Sequence, residues 1–193
     1  MGDLLASAKE RDMVRRAHVG VLLVLVIGMM VACSTAPTTQ EGKDDLAREA
    51  AAALTAWNQE VPGVEGYARS SYGYALFPGI GKGGIGLGMA YGRGVVYSEG
   101  QLIGYADLSE GSVGLQLGGQ AFQELIVFDD KAAFERFTQG RFAVSADTSA
   151  VLIAPGWAAR VRLAEGATVF FKPIGGLMGE LTLAGQQLSF VPK

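Results

Sequence analysis

Histidine and cysteine are nearly absent from this 193-residue chain, which has one of each, His18 and Cys33. Both fall in the first 33 residues, so everything beyond them lacks an imidazole and a thiol. That excludes serine–histidine and cysteine–histidine nucleophile systems, and ordinary zinc sites with them. It also excludes an intramolecular disulfide, so an oxidising compartment would leave no mark on the sequence. Basic surplus is missing too. Without Lys9, Arg11, Arg15, Arg16 and Asp3, Glu10, Asp12, the 16 basic and 19 acidic side chains fall to 12 and 16, a net charge of −4. Nucleic-acid binding proteins carry the opposite balance, so no nucleic-acid partner is expected.

Hydrophobic residues, by contrast, make up 49% of the chain, with a mean hydropathy of +0.26. Part of that excess is one apolar run, Val19-Gly-Val-Leu-Leu-Val-Leu-Val-Ile-Gly-Met-Met30, flanked by Arg11, Arg15 and Arg16 and followed by Val31-Ala32-Cys33. A run of this length is short for a membrane-spanning helix and right for a signal h-region. Small residues before a cysteine resemble the lipobox of bacterial lipoproteins. Residues 1–32 are therefore expected to be a signal peptide, with Cys33 the acylated first residue of the mature chain. Met13 is an alternative start to Met1 and would give a shorter n-region. Residues 33–43 are polar and without apolar period, and read as a flexible tether. By the same resemblance Cys33 carries three acyl chains, palmitate among them, which anchor far more firmly than one. Ser34 after it favours the outer membrane over the inner, with the domain facing the periplasm.

Residues 44–193 form one domain of ordinary size. Asp44 or Asp45 can cap a helix to about Glu60, which Val61-Pro62-Gly63 ends. Leu46, Ala50, Ala53, Leu54, Trp57 and Val61 share one face at helical spacing, opposite Asp45, Arg48, Glu49 and Glu60. From Tyr72 the period becomes two. Tyr74-Ala-Leu-Phe77 reads as a strand closed by Pro78-Gly79. Next, Ile85, Leu87, Met89 and Tyr91 face one way and Gly84, Gly86, Gly88 and Ala90 the other, a bare face that lets another backbone approach. Residues 95–97 and 102–105 form a hairpin across Glu99-Gly100. Val113-Gly-Leu-Gln-Leu117 echoes Ile85-Gly-Leu-Gly-Met89 at an offset of 28. Glu124-Leu-Ile-Val-Phe128 is a buried strand, and Asp129 caps a short helix that Gly140 ends. Further strands are expected over 151–153, 161–163, 168–172, 177–183 and 188–191. The fold class is α+β: an antiparallel sheet closed into a barrel or a sandwich, with an N-terminal helix and a short mid-chain one.

Gly79-Ile-Gly-Lys-Gly-Gly84 satisfies the dinucleotide fingerprint, but a strand follows where that site needs a helix N-terminus. A phosphate-cradling P-loop fails as well, because Gly83 and not serine or threonine follows Lys82. Asp107 and Glu110 are spaced for acid–base work but read as a solvated turn. No motif announces an enzyme, a metal or a cofactor.

The same residues carry a likeness. Tyr74-Ala-Leu-Phe-Pro78, Lys82-Gly-Gly-Ile-Gly-Leu-Gly88, Gly92-Arg-Gly94, Val113-Gly-Leu-Gln-Leu-Gly-Gly-Gln120, Glu124-Leu-Ile-Val-Phe128, Ser145-Ala-Asp-Thr-Ser149 and Gly175-Gly-Leu-Met-Gly179 resemble, in order and spacing, the SYLF domain family. The resemblance spans about residues 44–192 and implies a lipid-binding domain. Eukaryotic members bind phosphoinositides and some bind actin, neither of which is expected in a bacterial periplasm. Anionic phospholipid is the corresponding partner here. Lys82 matches the family's basic residue before its glycine run and is expected to contact the headgroup, with Arg93 as a neighbour. The alternative is an envelope structural or interaction protein that docks a protein or peptidoglycan.

Overall fold

A computed structural model describes residues 37–144, 159–163, 166–176 and 185–193, all within the compact unit Ser34–Lys193. Over 85–87, 112–118, 143–144, 159–163 and 176 it describes the backbone alone. The signal, Cys33, Ser145–Ser149 and the strands expected over 151–153 and 177–183 lie outside the described residues.

Helix α1 spans Gln40–Glu60. Leu46, Ala50, Ala53, Leu54 and Trp57 are its buried stripe, as their spacing predicts. Its start differs from expectation: the cap is Thr39, whose hydroxyl accepts the Gly42 N–H at 3.2 Å, not Asp44 or Asp45. Residues 40–43 of the expected tether are therefore helical. At the other end Pro62 disfavours helical backbone at Val61, and the chain re-enters a short helix α2, Val64–Ser70.

Strands β1 (Gly73–Ser98) and β2 (Gln101–Phe128) are 26 and 28 residues long and pair as one antiparallel hairpin. Glu99 and Gly100 form its two-residue turn with φ of 50° and 76°, the primed geometry that matches strand twist. Pro78-Gly79 does not close a strand. It sits in a register shift between Phe77 and Ile80 and the strand runs on. Proline is tolerated there because β1, among the described residues, pairs along one edge only. The two glycine-spaced segments prove to be partners in the ladder, with Ile85 opposite Leu117 and Leu87 opposite Val113.

β2 organises the rest. Its residues 104–110 pair with β6 (Gln186–Pro192), which also pairs with β3 (Ala143–Val144). Residues 120–128 pair with β5 (Ala167–Gly176), which also pairs with β4 (Ala159–Leu163). All pairings are antiparallel, in the order β3-β6-β2-β5-β4 with β1 on β2. Among the described residues the six-stranded sheet with three helices is α+β, and it is not closed into a barrel there, because no pairing joins its outer strands.

The long hairpin doubles back on itself. A Cβ on Gly94 would stand 2.8 Å from the Leu76 carbonyl oxygen, and one on Gly92 would stand 2.5 Å from Ile80 Cγ1. Gly92 and Gly94 continue by twos the bare face expected at Gly84–Ala90, and there β1 meets its own earlier residues. Met89 and Tyr91, on the opposite face, are exposed. Between the root half of the hairpin (residues 73–84 and 118–128) and its turn half (88–98 and 101–112) lie Phe77, Ile80, Phe122, Ile126, Ala106 and Leu108. A second cluster joins α1 and α2 to Tyr74, Leu76, Leu125, Val127 and Phe170. Residues 124–128 are buried on both faces for this reason, which is why they read as an unbroken run. Each large side chain so buried contributes about 1.5–3 kcal/mol.

Helix α3, Lys131–Thr138, presses Ala133 and Phe137 onto the first cluster. Its cap is Asp130, which accepts the Ala133 N–H at 2.7 Å, in place of the expected Asp129. Asp129 instead accepts from the hydroxyls of Tyr67 and Thr168, tying α2 to β5.

Gly94→Ala is expected to cost about 1–3 kcal/mol in urea unfolding, because a backbone oxygen must move to admit the methyl. Gly119→Ala, with open space around its Cβ, is expected to change stability by less than about 0.5 kcal/mol.

Candidate functional site

Alternation along β1 decides where Lys82 goes. It lies two residues beyond Ile80 on the same face, and so points between the halves of the hairpin. Its ammonium donates to Glu110 Oε1 at 2.5 Å, and the two side chains are 5% and 0% exposed. This corrects the expectation of a headgroup contact, because a lysine enclosed and ion-paired offers nothing to a ligand outside. Arg93 is exposed and lines a groove whose lining does not include Lys82, so the structure does not bring the two side chains to one site.

Glu110 belongs with Glu124 and Gln186 as much as with Lys82. The Gln186 amide Nε2 donates to Glu124 Oε2 at 3.1 Å, and both residues are fully buried. Three side-chain oxygens remain without partners: Glu110 Oε2, Glu124 Oε1 and Gln186 Oε1. Burial pushes the Glu124 carboxyl up to about 8, against the amide hydrogen bond that lowers it and helped by the nearby Glu110 charge. At neutral pH Glu124 is therefore protonated, and Lys82 and Glu110 are left as a balanced pair. Asp107 and Glu110 are not a solvated turn. Glu110 faces the interior, and Asp107, 8% exposed, accepts a hydrogen bond from the Tyr91 hydroxyl at 2.9 Å.

Outside this interior, a groove of about 600 Å³ runs between α1 and the place where β1 crosses itself. Ala52, Ala53 and Ala56 form the helix wall, and Pro78, Gly79 and Gly92 the opposite one. Small residues on both sides hold the space open, since longer side chains would fill it. The polar groups are few: Glu49 on α1, Tyr91 and Arg93 on β1, and Gln123 on β2. Gln123 Oε1 is buried and has no partner. The Tyr91 phenol is pushed up to about 12, first by burial and then by its hydrogen bond to Asp107, so it stays a donor. Among the described residues no cluster of three His, Cys, Asp or Glu fits a metal ion. Nor is any helix among them long and apolar enough to cross a membrane.

Arg93 is the sequence-chosen residue that the groove retains. Glu49 was legible only as part of the polar side of α1, and nothing in the sequence marks Gln123. Glu124 and Gln186 carry a weak signal, since each is two residues from a core position, Ile126 and Leu188.

Two outcomes test the interior cluster. The folded carboxyl of Glu124 holds its proton until about pH 8, whereas in the unfolded chain it ionises near 4.5. Stability from this group is full below the lower value, falls as pH rises through the window, and is flat above it. Glu124→Gln is expected to remove that fall, gaining a few kcal/mol over the parent at pH 8 and nothing at pH 4, by chemical unfolding across pH. Lys82→Met, which strands Glu110, is expected to cost about 3–5 kcal/mol, with much of it returned by adding Glu110→Gln.

No family model matches the chain, and no curated protein matches it.

Proposed function

We propose that this chain is a bacterial envelope lipoprotein, anchored through acylated Cys33 in the outer membrane, whose domain binds a phospholipid in the groove beside α1. The doubled hairpin is read as the two layers of a sandwich, and the groove as its mouth. One observation carries the reading: a groove walled by Ala52, Ala53, Ala56 and Pro78, with Arg93 in its lining. Alanine and proline carbon suits an acyl chain, and an arginine fork suits a phosphate. The likeness of residues 74–78, 82–88 and 124–128 to the SYLF family points the same way. Lys82 has no part in this contact, and the anionic group recognised is the lipid phosphate at Arg93.

Flotation with phospholipid vesicles tests it on a form beginning at Ser34, which lacks both signal and acyl chains. Binding is expected, and Ala56→Trp, which fills the groove, is expected to abolish it. Arg93→Gln is expected to weaken binding about tenfold or more, the scale of one charged hydrogen bond. If no vesicle of any composition binds, the reading falls, and docking of a protein or cell-wall partner replaces it.

A further inference from the structure

Glu49 and Arg93 bring opposite charges to one groove and do not meet. Both are exposed, and none of the ion pairs among the described residues includes either of them. Elsewhere on the surface a lysine and a glutamate within reach do close, as Lys172 and Glu60 do at 2.5 Å. The same groove is lined by Gln123, whose Oε1 is buried and lacks a donor. Its polar groups therefore call for an acceptor at Arg93 and for donors at Glu49 and Gln123.

That pattern selects among headgroups. A purely anionic one would satisfy Arg93 but meet the Glu49 carboxylate with like charge, and a simple cation would meet Arg93 the same way. Choline is a cation without an N–H, so it leaves Gln123 Oε1 unpaired, and an unpaired buried acceptor is costly. A phosphate followed by a primary ammonium answers all three groups. We propose that the groove takes the phosphoethanolamine headgroup of an aminophospholipid. Its phosphate accepts from the Arg93 guanidinium, and its ammonium donates to the Glu49 carboxylate and Gln123 Oε1. The alanine wall of α1 continues from these groups and receives the first carbons of the acyl chains, which a free zwitterion lacks. This assignment rests on the proposal that the groove is a phospholipid site.

The full chain, purified in lipid-free detergent, is titrated by calorimetry with dihexanoyl phosphatidylethanolamine, phosphatidylcholine and phosphatidylglycerol, and with free phosphoethanolamine. The ethanolamine lipid is expected to bind about tenfold more tightly than the other two, the scale of one charged hydrogen bond. Glu49→Gln is expected to bring it down to the level of the choline lipid, and Arg93→Gln to weaken all three. Both positions are exposed, so an unshifted melting temperature accompanies these losses. Tightest binding of phosphatidylglycerol, or a Glu49→Gln variant that keeps the ethanolamine preference, would overturn the headgroup assignment and leave the groove a lipid site. Free phosphoethanolamine binding as tightly as its lipid would overturn the lipid source. Binding of none of the phospholipids would overturn this inference and the function it rests on.

Discussion

Everything in this domain depends on the passage of β1 across its own earlier residues. Gly92 and Gly94 let backbone stand where side chains would ordinarily hold two strands about a core's thickness apart, and Leu76, Ile80 and Gly79 fill the space they leave. A single hairpin of more than fifty residues thereby supplies both walls of its own interior. The crossing also makes the wall of the groove opposite α1, since Gly79 and Gly92 line it from the root and turn halves of β1. Interior and surface site are two sides of one close approach.

Inside, the apolar cluster gives way to a polar one along the same faces of β1 and β2. Ile80 is followed by Lys82, Leu108 by Glu110, and Ile126 is preceded by Glu124. Buried ion pairs repay their desolvation poorly, so this one adds little to stability beyond what apolar residues of the same size would add. What it does enforce is register. Slipping β1 by one residue against β2 would turn Lys82 outward and leave the Glu110 carboxylate enclosed without its cation. The protonated Glu124 fits the same logic, because a second carboxylate charge in that space has no partner to balance it.

Much of the fold was legible because it follows from local periodicity. The buried stripe of α1, the Glu99-Gly100 turn and the doubly buried 124–128 run all announce themselves over a few residues. Features that depend on distant partners did not. Pro78 looks like the end of a strand until one knows that β1 is paired along one edge. Barrel closure turns on whether the outermost strands meet, which no local pattern encodes. Thr39 was passed over because it stands in a polar stretch, two residues after a proline, with aspartates further on that cap equally well on paper. Lys82 was assigned from its match to a family's basic residue before a glycine run, not from the strand it stands in. Counting by twos from Ile80 would have put it inside. The groove was the least legible part, because its walls are alanines and glycines that define it by what they leave empty.

The position of β2 also constrains how the chain can reach this state. One strand serves three partners: β1 along its length, β5 at one end and β6 at the other. Of these, β6 is the last strand in chain order. As the polypeptide emerges from its N-terminal end, the hairpin can zip early, yet residues 104–110 of β2 keep an open edge until Gln186–Pro192 arrive. An unpaired edge of that length is a template for the wrong strand. Because the contacts that close it are far apart in sequence, closure is slow. The stretch from 129 to 185 is therefore a waiting time as well as a connection. Whatever guards the nascent chain through that interval decides how much of it becomes this fold.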